Sequence, residues 1–157
     1  MKILFVRHAK ALDRSEWHED DLLRPLSQEG IKQAKEFFAK LPKIYSIEAI
    51  ISSKATRAIQ TAEILKEFFP AAKYFETSRL NPGASPLSFE ELIDKFRCYE
   101  TIAFVGHEPD FSFAIGHLVG CEDMSIRVRK AGVVELRGDE AYELNAIIYP
   151  KLLKRLH

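Results

Sequence analysis

Short unbroken apolar runs alternate along the chain with stretches whose apolar positions recur every three or four residues. Ile3 to Val6 is the first such run, the kind made by a strand covered on both faces in a parallel sheet. It ends in the polar pair Arg7-His8, after which Lys10 to Arg24 is charged and aperiodic, a surface loop closed by Pro25. Ser27 is placed to cap a helix in which Ile31, Ala34, Phe38 and Leu41 share one face, and Pro42 ends it. Ala49 to Ile51 predicts a second strand, Ser52-Ser53 a turn and N-cap, and Lys54 to Phe69 a helix with Ala58, Ala62, Leu65 and Phe69 aligned, stopped by Pro70. A third strand follows at Lys73 to Glu76, then a turn-rich loop through Asn81-Pro82-Gly83 and Ser85-Pro86, and a helix capped by Ser88 that runs to about Phe96. Thr101 to Val105 is a fourth apolar strand, broken at Gly106-His107, and Pro109 introduces a helix over Asp110 to Val119. Gly132 to Leu136 and Tyr142 to Tyr149 form an antiparallel pair joined across Arg137-Gly138-Asp139-Glu140.

Strands alternating with helices predict an α/β fold, a three-layer α/β/α sandwich with a mainly parallel central sheet and right-handed crossovers. A length of 157 residues without repeats or linker predicts a single domain over residues 1–157. In such folds ligands bind beyond the carboxyl ends of the strands. Composition narrows the partners: Lys plus Arg and Asp plus Glu both number 23, so there is no net field to hold nucleic acid, and any anion site is local. The apolar runs fall far short of the roughly 20 residues needed to cross a bilayer, and Met1-Lys2 leads straight into a strand instead of a secretion signal. The expectation is a cytoplasmic protein with no membrane partner. Cys98 and Cys121 are far apart and lack CxxC spacing, which predicts free, buried thiols without a chemical role.

Three strand ends carry the candidate chemistry: Arg7-His8, Ser52-Ser53 with Arg57 one turn into the next helix, and Gly106-His107. Two guanidiniums suit a phosphoryl group, because each planar fork binds two oxygens and keeps its charge. Free N–H groups of the helices starting near Lys54 and Asp110 add partial positive charge at the same edge. Imidazole titrates near pH 6.5, so one ring can attack as the neutral base while the other, held near phosphate oxygens, is stabilised as a cation. A metal site using His8, His107, His18 or His117 is the alternative. It is not expected, since HxH and HExxH spacings are absent and the arginines would repel the ion.

Phe5-Val6-Arg7-His8-Ala9-Lys10-Ala11 resembles the signature of the histidine phosphatase superfamily, the phosphoglycerate-mutase-like enzymes. Supporting blocks follow in family order: Arg24-Pro25-Leu26-Ser27 with Glu29-Gly30, Ser52-Ser53 through Arg57-Ala58 and Thr61-Ala62, and Val105-Gly106-His107-Glu108-Pro109. The short chain and its RHAKA start look most like the small bacterial SixA-like branch of phosphohistidine phosphatases. The resemblance implies a phosphoglycerate-mutase-like fold, His8 as the nucleophile of a covalent phosphohistidine intermediate, Arg7 and Arg57 as phosphate-binding residues, and His107 as a hydrogen-bond donor to the transferring group. It implies no metal and no organic cofactor.

One departure from the family pattern bears on substrate. Many esterase and mutase members carry an acidic proton donor in the loop after the third strand, where this chain reads Arg79-Leu80-Asn81-Pro82-Gly83. Proline cannot donate a proton, and a phosphoester needs one for its alkoxide whereas imidazole leaves readily. The expected substrate is therefore a phosphohistidine-bearing protein, such as a phosphorelay or phosphotransfer carrier. Glu108, Glu90 or Asp94 could instead supply a carboxyl, and Trp17 in the 10–24 loop could contact a partner or simply pack the loop. The alternatives in function are a small-molecule phosphomonoesterase of the same fold and a non-catalytic phosphate- or phosphoprotein-binding module.

Overall fold

A computed structural model describes residues 1–156. The sheet is built from β1 (Lys2–Arg7), β2 (Ala49–Ser53), β3 (Lys73–Thr77), β4 (Thr101–Gly106), β5 (Val133–Gly138) and β6 (Tyr142–Ile148), in the order β3-β2-β4-β1-β5-β6. The first four strands run parallel, while β5 joins β1 and β6 joins β5 antiparallel. Helices α1 (Gln28–Phe38), α2 (Thr56–Phe68), α3 (Pro86–Lys95), α4 (Asp110–Val119) and α5 (Pro150–Lys154) complete the chain. Among the described residues no helix is long and apolar enough to cross a membrane.

Alternation along β1 creates the layers. Leu4 and Val6 point into a core shared with Ala34 and Phe38 of α1 and Ala58 and Leu65 of α2. Ile3 and Phe5 point the other way, against Phe89 of α3 and Phe111 of α4. The Phe5, Phe89, Phe104 and Phe111 rings pack at centroid distances of 5.2 to 5.9 Å, within the range of favourable aromatic contact. The result is the expected α/β/α sandwich.

Several local expectations need correction. Ser52 and Ser53 are strand residues, fully buried, and α2 starts after Ala55, whose N–H donates to Ser53 Oγ at 3.1 Å. The cap of α3 is Ser85, which accepts from the Ser88 N–H. Helix α1 stops at Phe38, before Leu41 and Pro42, which belong to a 3-10 turn. The 10–24 segment contains two further 3-10 turns, Arg14–Glu16 and Asp21–Leu23, and is tied down by an Ala11–Leu26 bridge. Tyr149 leaves the sheet to begin α5. Cys98 and Cys121 are free but exposed, because they lie in the turns that follow α3 and α4, outside either core. The last residue of the expected domain, His157, lies outside the described residues.

Gly30 explains one of the sequence blocks. A Cβ at this position would stand 2.1 Å from the Lys10 carbonyl oxygen, so the close approach of α1 to the strand exit after His8 excludes any side chain. Ser27 caps the same helix, its Oγ accepting from the Gly30 N–H at 3.0 Å. Gly30→Ala should therefore lower stability by about 1–3 kcal/mol, the usual cost of overpacking against backbone. Denaturant unfolding measures this, and an unchanged midpoint would show that the contact is soft.

Candidate active site

Parallel register sets the site. Arg7 lies opposite Gly106, and Ser52 opposite Val105, so His8, Ser53 and His107 leave the sheet at one level. The His8 N–H donates to the Gly106 carbonyl at 3.0 Å, and the His8 and His107 ring centroids are 5.3 Å apart. Helix α2 adds Arg57 from its first turn. Arg7, His8, Arg57 and His107 line a single cavity of about 310 Å³. The sequence placed all four of them at this edge, and the structure brings them together.

Hydrogen bonds fix the state of each imidazole. His8 Nδ1 donates to the Ala9 carbonyl at 2.7 Å. A carbonyl only accepts, so the ring proton sits on Nδ1 and the lone pair remains on Nε2. Ala9 is held in turn by its N–H to Thr61 Oγ1 at 3.0 Å, and Thr61 donates to the Arg57 carbonyl at 2.7 Å. His107 is governed by a longer chain. The Lys54 N–H donates to Asn81 Oδ1 at 2.9 Å, which makes Ser53 Oγ, 3.1 Å from the same oxygen, the donor of their contact. The Ser53 oxygen then accepts from His107 Nε2 at 2.9 Å. His107 Nδ1 is left as the atom for a ligand.

Three nitrogens at this site, Arg7 Nε, Arg57 Nε and His107 Nδ1, are buried without a hydrogen-bond partner. Such groups are costly to leave unsatisfied; the two guanidinium nitrogens are ready donors for an oxyanion, whereas His107 Nδ1, whose ring proton sits on Nε2, joins them only when the ring takes up a second proton. Arg7 is aimed by a bond from Nη1 to the Val128 carbonyl at 3.0 Å. Arg57 donates from Nη1 to the Asp21 carbonyl at 2.8 Å and from Nη2 to Asp21 Oδ2 at 3.2 Å.

Burial dominates the titration of the site. It pushes the His8 imidazole down to about 3, and the nearby His107, Arg57 and Arg7 reinforce the shift while the Ala9 bond opposes it. Burial likewise pushes His107 down to about 3, with Arg57 the largest charge acting in the same direction. Both rings are thus neutral at neutral pH while the site holds no anion. A phosphoryl dianion in the cradle would favour protonation of His107 at Nδ1.

The 10–24 loop supplies much of the rim, as its place in the sequence suggested, but the residues that turn inward were not singled out. Asp21 and Arg24 line the cavity together with Arg14 and Lys130. Burial opposes ionisation of Asp21, but a hydrogen bond from Arg24 and the charges of Arg57 and Arg24 outweigh it and hold the carboxyl below its ordinary value. Arg24 was visible in the Arg-Pro-Leu-Ser block, whereas nothing in the acidic run Glu19-Asp20-Asp21 marks which carboxylate turns inward. Trp17 is half-buried and donates from Nε1 to the Asp20 carbonyl at 2.9 Å, which packs the loop on itself.

The candidate proton donors are sorted by their partners. Pro82 forms part of the cavity wall. Glu108 also lines the cavity, but Oε1 accepts from the Ser112 N–H at 2.8 Å and Oε2 from Ser112 Oγ at 2.5 Å and the Val128 N–H at 3.2 Å. Glu90 and Asp94 border a different depression, where they pair with His117 and Arg97 at 2.7 and 2.9 Å. Among the described residues no group of three or more His, Cys, Asp or Glu side chains converges to hold a metal ion.

A sandwich with paired arginines and histidines at the carboxyl edge of its parallel strands defines a phosphoryl-transfer protein. A profile of the histidine phosphatase superfamily (branch 1) matches residues 3–81. The chain belongs to this superfamily and is a phosphatase of it, hence a hydrolase. It is 31% identical over 147 residues to an uncharacterized protein of Picosynechococcus sp. (strain ATCC 27264 / PCC 7002 / PR-6), covering 90% of this chain and 87% of that one. It is 32% identical over 96 residues to the 5''-phosphoribostamycin phosphatase of Niallia circulans, covering 57% of this chain and 44% of that one. The fold is similar to that of the protein histidine phosphatase SixA complexed with tungstate, with a TM-score of 0.86 at 18% identity over 98% of this chain and 99% of that one.

Two outcomes follow from this geometry. Both histidines have folded-state values near 3 against about 6.5 when unfolded. The unfolded chain therefore binds more protons below pH 6.5, and the stability present above that pH is lost as pH falls towards 3. His107→Gln should flatten the acid side of a plot of Tm against pH, and an unchanged slope would contradict the assigned neutral ring. Asp21→Asn should tighten inorganic phosphate binding several-fold by calorimetry, because it removes a negative charge from the cradle while keeping a hydrogen-bonding side chain. Weaker binding would mean that Asp21 serves mainly to position Arg57.

Proposed function

We propose that the chain is a metal-independent phosphohistidine phosphatase in which one domain acts on a protein substrate through a covalent intermediate on His8. The observation that carries this reading is the His8 Nε2 lone pair, fixed by the Nδ1 bond to Ala9, beside three buried, unpartnered nitrogens. His8 Nε2 attacks phosphorus, and a new N–P bond forms as the bond to the substrate imidazole breaks. The substrate ring, protonated on its other nitrogen, leaves as neutral imidazole. Arg7 and Arg57 bind the phosphoryl oxygens, and His107, which takes up a proton from solvent at Nδ1 when the dianion binds, donates from that nitrogen as charge develops on them. Water then cleaves the His8–phosphorus bond, releasing inorganic phosphate and restoring the imidazole.

The substrate class is supported by the wall of the cavity. With Pro82 in the loop after β3 and both Glu108 oxygens accepting hydrogen bonds, neither of these wall residues offers a ready acid for an alkoxide. Transfer between two imidazoles is close to thermoneutral and needs none. Likeness to a SixA fold agrees with a phosphohistidine carrier, of a phosphorelay or phosphotransfer kind, as the partner. The second reading, a small-molecule phosphomonoesterase, is favoured by the sequence relationship to the phosphoribostamycin phosphatase.

Incubation with a phosphohistidine protein should give an acid-labile phosphoenzyme that His8→Ala abolishes. Arg57→Ala should lower kcat/KM by about 10²–10³, the usual effect of removing a preorganised donor. Faster hydrolysis of sugar phosphates than of a phosphohistidine protein at equal concentration would overturn the substrate assignment in favour of the esterase.

A further inference from the structure

A second depression opens beside the catalytic cavity and shares Arg7 and Lys130 with it. Its volume is also about 310 Å³. Lys10, Arg127, Arg129 and Lys151 line it together with those two cations, and Glu29 is the one carboxylate in its lining. Glu29 is already bonded to Lys10 at 2.9 Å. In a chain whose charges cancel overall, this is a strong local excess of positive charge. Among the described residues, Arg127, Arg129, Lys130 and Lys151 make no ion pair.

The segment that carries three of these cations is built onto the active site. Val128 is buried, its carbonyl accepting from Arg7 Nη1 at 3.0 Å and its N–H donating to Glu108 Oε2 at 3.2 Å. Arg127 and Arg129 on either side are exposed, as is Lys130. Ala131 then adopts φ +60°, a left-handed conformation that costs a residue with a Cβ. The turn lets its N–H donate to both the Arg7 and His8 carbonyls, at 3.1 and 3.2 Å. The strain is sustained by bonds to the two residues that open the site. The Arg129 guanidinium lies over the Tyr149 ring, 4.8 Å from its centroid, which steadies the arginine and covers the ring face.

We propose that this basic groove docks an acidic face of the phosphoprotein substrate, carboxylates flanking the phosphohistidine, so that the phosphoryl group is delivered into the adjacent cradle. The inference rests on the phosphohistidine reading above. Exposed cations spread across a groove suit several carboxylates on a protein surface better than one enclosed anion, which needs converging donors. Nucleic acid is the lesser candidate, because Arg129 covers the ring on which a base would stack.

The test compares the wild type with an Arg127→Gln/Arg129→Gln/Lys151→Gln variant. Three substrates are needed: a phosphohistidine carrier with acidic residues around the phosphorylated histidine, the same carrier with those residues changed to amides, and free phosphohistidine. At low salt the variant should lose about tenfold in kcat/KM on the acidic carrier, through KM. It should match the wild type on the amide carrier and on free phosphohistidine, and added salt should close the gap. Because Arg129 packs on Tyr149, the Arg127→Gln/Lys151→Gln variant should show a smaller loss in the same direction. Equal turnover of the acidic carrier by all proteins would overturn the docking proposal and leave the phosphohistidine reading intact. An equal loss on free phosphohistidine would also overturn it, placing these cations in the reaction itself. If the wild type cleaves sugar phosphates but neither carrier, the phosphohistidine reading fails and the docking proposal with it. Salt-sensitive binding of single-stranded RNA by the wild type alone, with no difference on the carriers, would assign the groove to nucleic acid instead.

Discussion

The hydrogen bond from His8 Nδ1 to the carbonyl of the next residue decides which nitrogen of the ring can act as a nucleophile. An imidazole free to exchange tautomers would present its lone pair in the wrong place part of the time. The bond works only because Ala9 cannot turn away: its N–H is held by Thr61, which is held by the Arg57 carbonyl. Thr61 and Arg57 sit one turn apart on α2, so the helix that brings the Arg57 guanidinium to the cavity also sets the protonation pattern of the His8 ring. Strand β1, covered on both faces, delivers His8 to that helix.

The site is assembled at an energetic cost. Two arginines and two imidazoles are brought into one hollow, and several of their nitrogens lose water without gaining a partner. Neutral imidazoles lower this cost, since burial and the adjacent guanidiniums disfavour their charged forms. Asp21 offsets more of it by pairing with Arg57 and Arg24. This residue comes from the 10–24 segment, and its carbonyl and carboxylate take up the Arg57 donors that an anion in the hollow would compete for. The arrangement trades stability for an anion site whose donors are already aimed, which is the condition for electrostatic catalysis.

How much of this was legible depended on whether burial left a mark on residue type. The Ile-Leu-Phe-Val run of β1 and the helical spacing of Ile31, Ala34 and Phe38 were readable because apolar periodicity reports directly on which face is covered. The paired strand-end motifs were readable because each ends an apolar strand with charged or imidazole groups. Ser52 and Ser53 were misread as a turn. They are fully buried strand residues whose hydroxyls are satisfied by a backbone carbonyl and by the Asn81 and His107 side chains, long-range partners that no local pattern reveals. The cysteines were misplaced for the opposite reason: their type favours burial, but turns after helices put them outside. Asp21 and the 127–130 cations were invisible because their role depends on which members of a charged stretch face inward. Only packing of a neighbour such as Val128 settles that.

The leaving group connects the wall of the cavity to its chemistry. An ester demands that a proton arrive as the oxygen departs, and the protein must hold that proton on a group poised to release it. Of the three carboxyls lining this cavity, Asp13, Asp21 and Glu108, two are committed: Asp21 is held ionised by its arginines, and Glu108 spends its oxygens organising Ser112 and Val128. Freeing Glu108 would release the Val128 N–H that helps seat the segment aiming Arg7. The same residue cannot both hold Arg7 in place and swing to protonate an alkoxide. A substrate whose leaving ring carries its own proton escapes that conflict.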